Sequence, residues 1–147
     1  METTTGKVEN PESNSLLEMY LKTKRLLQDF DFMEDELRFF KKVIRQYLLK
    51  LGDSLNTKVE KVNSQIYELE MDKHLLRNEV LTELELLDLT IKGLTDQKLR
   101  TLEEAAGQLE LKVADLFQKL KQFKKELFEV TEEVVRSEEQ RQNDRVA

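Results

Sequence analysis

An all-α fold, an elongated antiparallel three-helix bundle or coiled coil, is predicted by three features of this 147-residue chain. Apolar side chains recur at alternating steps of four and three, which keeps one stripe of a helix against a partner over many turns. Glycine-centred turns at Gly52 and Gly93 divide the periodic region into three segments of similar length. The composition, 39% hydrophobic and 37% charged with one proline and no cysteine, is that of long helices with solvated outer faces. Ten Phe and Tyr residues exclude a wholly disordered chain, which would lack bulky groups to bury.

Residues 1–14 are polar and without periodicity and are expected to form a disordered tail. Ser15 and Glu18 make a Ser-x-x-Glu capping box, in which each side chain satisfies a free N–H of the first helical turn. Helix 1 is therefore expected over 15–51. Its seam reads Leu16, Met19, Thr23, Leu26, Phe30, Met33, Leu37, Phe40, Ile44, Tyr47 and Leu51. Gly52-Asp53-Ser54 supplies its stop, since glycine closes a helix in the left-handed conformation at no Cβ cost.

Helix 2 is expected over 55–92, restarting near Leu55 or at Thr57, which forms a second capping box with Glu60. Its seam runs Leu55, Val59, Val62, Ile66, Leu69, places Lys73 on the stripe, and continues through Leu76, Val80, Leu84, Leu87, Ile91 and Leu94. Between Val80 and Leu84 a step of four replaces the expected three, a stutter that locally unwinds a supercoil. Gly93 with Thr95 or Asp96 reads as a turn followed by a cap; the alternative is a single helix continuing to Gly107. Helix 3 is expected over 95–136, with the repeat Leu109, Val113, Leu116, Leu120, Phe123, Leu127, Val130, Val134, and residues 137–147 as a frayed tail. One helical domain over 15–136, with helices of about 40 residues and roughly 60 Å, implies a rod.

Charge indicates direction. Folding back near residue 53 brings Lys22, Lys24 and Arg25 toward Glu79, Glu83 and Glu85, and the acidic run Asp29, Asp31, Glu34, Asp35, Glu36 toward Lys73 and Arg77. Folding near residue 93 brings Lys119, Lys121, Lys124 and Lys125 toward helix 2 positions 62–68 and the neighbouring carboxylates. Exposed pairs contribute only about 0–1 kcal/mol each, so they select orientation and leave stability to the seams.

No catalytic or cofactor-binding residue is assigned. The acidic run offers carboxylates for a metal, but Asp29 and Asp31 diverge on a helix, and the single histidine, His74, follows Met71 where a di-iron Glu-x-x-His motif needs Glu. His74 has no nucleophile at triad spacing, and the four glycines are too far apart for a phosphate loop. No cofactor and no enzymatic activity are expected. A net charge of −6 argues against a nucleic-acid partner. No apolar run is long enough to span a membrane and no secretory signal is visible, so a soluble cytoplasmic protein is expected.

The stretch Lys119-Leu-Lys-Gln-Phe-Lys-Lys125 reads as a core stripe flanked by lysines, or alternatively as a contact for anionic membrane. Phe39, Val43, Leu48 and Leu27 widen the apolar face of helix 1 beyond a two-position seam, a width that suits contact with two other helices in a bundle or with a second chain. A candidate interaction surface follows: Phe39, Val43, Leu48, Lys119, Lys121, Lys124 and Lys125. The segment Leu27–Ile44, with its phrase Phe-x-x-x-Glu-x-Glu-Leu-x-Phe-Phe from Phe30 to Phe40, resembles a segment of uncharacterised bacterial helical-bundle proteins. That group has no known activity, so the resemblance implies the bundle fold and carries over no site residue. The expected function is a non-catalytic helical scaffold or adaptor that binds a protein partner or itself, with a peripheral membrane binder and a metal-binding bundle as alternatives.

Overall fold

The computed structural model describes residues 11–48 and 56–146, and the expected turn at Gly52-Asp53-Ser54 lies outside them. It is an all-α three-helix bundle: α1 (Pro11–Val43), continued by a π-helical turn (Ile44–Leu48), α2 (Asn56–Ile91) and α3 (Leu99–Val146). Among the described residues there is no strand. The chain forms two compact units, and each takes one segment from every helix. Unit 1 lies within Met1–Asp31 and His74–Asp115; unit 2 lies within Phe32–Lys73 and Leu116–Ala147.

Helix α1 begins one turn earlier than the sequence predicts. Pro11 occupies its first position, where the missing N–H would be unpaired anyway and the fixed φ suits a helix. Ser15 is thus inside the helix and not its cap. At the other end of the chain, α3 remains helical through Val146, ten residues past Arg136, where the apolar repeat stops.

In unit 1 a cluster of Met19, Leu87, Leu102 and Ala106 is packed by Leu16, Tyr20, Leu86 and Leu99, so all three helices meet there. The turn between α2 and α3 is resolved in detail. Gly93 has φ +75°, its N–H donates to the Thr90 carbonyl (3.0 Å), and the Leu94 N–H donates to the Leu89 carbonyl (2.9 Å). These two bonds are a Schellman ending, which satisfies carbonyls that the last helical turn leaves open. Thr95 does not cap α3. Its hydroxyl instead meets that of Thr90 (2.9 Å), while Thr90 Oγ1 donates to the Leu86 carbonyl (2.7 Å), and α3 starts only at Leu99. The two helices are therefore separate, Gly107 is interior to α3, and Ile91 and Leu94 are exposed where the seam had placed them inside.

Nothing lies within 4 Å of a Cβ added at either Gly93 or Gly107, so backbone conformation alone separates the two sites. Gly93→Ala is expected to lower stability by about 1–2 kcal/mol, the cost of a left-handed L-residue. Gly107→Ala is expected to raise it by about 1 kcal/mol, because alanine loses less backbone freedom in a helix. Urea unfolding of both variants checks the opposite signs.

In unit 2 the core holds Met33, Leu37 and Phe40 of α1, Ile44 of the π turn, Val62, Ile66 and Leu69 of α2, and Leu116, Leu120, Phe123 and Leu127 of α3. Helices α1 and α2 run antiparallel, shown by the ion pairs Glu34–Lys73 and Lys41–Glu70. Helices α1 and α3 run parallel: Phe32 meets Phe117 at 5.9 Å between centroids, and Phe40 meets Phe123 at 5.5 Å. Lys73, which the repeat put on the seam, keeps its stem in the groove and its ammonium on Glu34.

The π turn corrects one predicted core residue. Each extra residue in a turn delays the return of the buried face, so the seam steps from Phe40 to Ile44 to Leu48. Tyr47 is left exposed at 41%.

Candidate functional site

The predicted interaction surface divides in the structure. Phe39, Lys119, Lys121, Lys124 and Lys125 are exposed, but Val43 and Leu48 are buried, at 8% and 3% exposure. Leu48 is drawn inward by the π turn. Val43 is drawn inward because a helix in a three-helix bundle touches two neighbours, so its buried face exceeds a two-position seam. The apolar width read at these two positions belongs to the core and not to a free stripe.

Most of the large apolar side chains left outside in unit 2 are aromatic, with Met71 and Val135 beside them. Phe32 is 54% exposed and Phe39 48%, seven residues apart on one face of α1. Phe32 rests against the half-buried Phe117 of α3. From Phe117 the same face of α3 continues at helical spacing through Lys121, Lys124 and Phe128, and Phe128 is also exposed. Lys124 Nζ lies 6.0 Å from the Phe128 ring and 4.0 Å from Glu36 on α1. That lysine is therefore turned to α1, where the sequence had paired it with α2. Lys119, by contrast, does line the α2/α3 groove with Glu68 and Asp72. The Phe32–Phe117 pair lies off the seam and is not marked by the four-three repeat; its signal in the sequence is aromatic residues recurring off the seam at intervals of seven and eleven.

The acidic run serves as a set of partners for cations. In unit 2, Glu34 holds Lys73, Asp35 accepts from Arg38 at 3.0 Å, and Glu36 faces Lys124. In unit 1, burial pushes the Asp29 carboxyl up from its ordinary pKa. Among the described residues no three His, Cys, Asp or Glu side chains gather as a metal would require, and His74 is exposed.

Unit 1 contains a feature of a different kind. At the stutter, Val80, Glu83 and Leu84 are all buried: the regular step of three lands on Glu83, and the step of four lands on Leu84. Glu83 is only 8% exposed, its Oε2 has no hydrogen-bond partner among the described residues, and burial pushes its pKa up. Met19 and Leu87 share a core cluster, so moving four residues along α1 and four back along α2 brings Thr23 and Glu83 to one layer. Thr23 is buried as well, which makes this layer a polar break in an apolar core. Beside it, α2 and α3 enclose a groove of about 480 Å³, with Lys112 and Glu79 paired at 2.9 Å on its wall.

No family model, curated protein or solved structure matches this chain. No described helix is long and apolar enough to cross a membrane.

Proposed function

We propose that this chain is a non-catalytic helical interaction module, a scaffold or adaptor that engages a protein partner or a second copy through the aromatic face of unit 2. The observation that carries the reading is the pair Phe32 and Phe39, half-exposed at heptad spacing, with Phe32 backed by Phe117 and Phe39 against Phe40. Two large rings left half in water give up half of the roughly 1.5–3 kcal/mol that full burial of each side chain is worth. A partner helix laid along them with apolar residues at the same interval recovers that energy. Lys121, Lys124 and Glu36 beside the rings offer charges of both signs, which set orientation more than affinity.

The test is a comparison of the full chain with a Phe32→Ser, Phe39→Ser variant. The parent is expected to form dimers in sedimentation or to retain a defined partner in a pull-down. In the double variant both signals should drop by at least about tenfold, since central aromatic anchors contribute on the order of 2 kcal/mol each. Helical content should stay the same and the thermal transition should stay cooperative, its midpoint lowered by the loss of the half-buried side of each ring. A parent that sediments as a compact monomer and retains no partner overturns the reading.

A further inference from the structure

We propose that the α2/α3 groove of unit 1 binds a basic side chain, a lysine or arginine carried by a partner protein, with Glu83 as the anchoring carboxylate. Leu75 and Leu109 give this groove an apolar flank, while Asn78, Glu79, Glu83 and Gln108 give it polar groups. A long basic side chain has the matching division, an apolar stem and a cationic head. Glu79 is already engaged by Lys112, so the unmet demand falls on Glu83, more than nine-tenths buried and with one oxygen lacking any donor. A buried carboxylate lacking a donor among the described residues is costly, and an ammonium or guanidinium in the groove, once the Glu83 side chain turns to meet it, supplies both the charge and the hydrogen bond.

Unit 2 repeats the pattern independently. Its own α2/α3 groove, about 260 Å³, is lined by Gln65, Glu68, Asp72 and Glu126 together with Lys119, and there Gln65 Oε1 is a buried atom without a partner among the described residues. In each unit the unsatisfied atom is an acceptor, so what is missing is a donor. Electrostatics then selects the occupant. The chain carries a net charge of −6, which favours a basic segment over an acidic one at this groove. The groove does not include the aromatic face, and the two readings stand or fall separately.

Fluorescence anisotropy decides the matter, using the intact chain at low ionic strength and a labelled amidated peptide of alanine with lysine at every fourth position. The peptide is expected to bind. Glu83→Gln should weaken it by at least about fivefold, whereas Glu85→Gln, which removes the same formal charge from an exposed site two residues away, should change it by less than about twofold. The Phe32→Ser, Phe39→Ser variant should bind the peptide like the parent, which keeps failure of the aromatic reading distinguishable. Absence of binding, or equal losses in Glu83→Gln and Glu85→Gln, overturns the proposal. Loss of fold does not confound the result, because removing a buried charge stabilises the protein and a melting curve verifies it.

Discussion

Leu37→Asp should abolish cooperative folding. Leu37 is 1% exposed in the core of unit 2, on the α1 stripe between Met33 and Phe40. Truncating a buried leucine costs about 2–5 kcal/mol through lost transfer energy and the cavity left behind. Aspartate then adds an ionised carboxylate where no cation has been placed to meet it, a further cost of several kcal/mol. Together these approach the roughly 5–15 kcal/mol that holds a domain of this size. Circular dichroism should show a low, broad thermal transition in place of a sharp one. Leu116→Asp, at a buried position of α3 in the same unit, should behave alike. A sharp transition within a few degrees of the parent in either variant would mean that these side chains do not form the core.

The second large effect has the opposite sign. Glu83→Leu is expected to stabilise the protein at pH 7 by about 1–3 kcal/mol, because the parent keeps a polar group buried without a full set of partners. Glu83→Gln should gain less, since the amide loses the charge and still needs hydrogen bonds. The pH dependence follows from the direction of the shift. Burial raises the carboxyl above its ordinary pKa in the folded state, so the folded chain holds this proton more tightly than the unfolded one. The contribution of the protonated group is complete below the unfolded pKa and is lost as pH rises through the folded one. The stability difference between Glu83→Gln and the parent should therefore be smallest at acidic pH and grow toward neutrality. Denaturant midpoints across that range measure it, and a flat difference would show that Glu83 does not titrate with folding.

Helix identity and most core positions were legible without the structure because period and burial are the same physics. From Leu26 through Ile44 and from Leu109 through Val134 every residue of the four-three repeat is buried, as a stripe facing two partners must be. The Gly93 turn was legible for a local reason: only a residue without Cβ takes φ +75° at no cost, and the Schellman bonds need nothing beyond the adjacent turn. The start of α3 was not legible. Thr95 and Asp96 are good caps, but the contact of Thr95 with Thr90 depends on how the chain folds back after the turn. Tyr47 and Leu48 exchanged roles for a related reason, since a π turn shifts the face by one residue and leaves no mark in composition.

The candidate sites were read only in part. Of the seven residues of the candidate surface, Phe39 and the four lysines are exposed and Val43 and Leu48 are buried, a division that the width of an apolar face does not show because it does not say how many neighbours cover it. Glu83 looked like one more surface acid, since it fell where a seam leucine was due and the stutter seemed to pass over it.

The sequence alone determined that this chain is helical and which stripe of each helix leaves water, because these depend on spacing, and it left two ends for the second helix, a turn at Gly93 or a continuous helix to Gly107, between which the structure decides for Gly93. The tertiary structure decided which flanking residues join that stripe, which cations meet which carboxylates, and that Glu83 is enclosed with an oxygen unsatisfied. Those outcomes depend on the second and third helix standing beside the first, and no pattern within one helix contains the position of its neighbours.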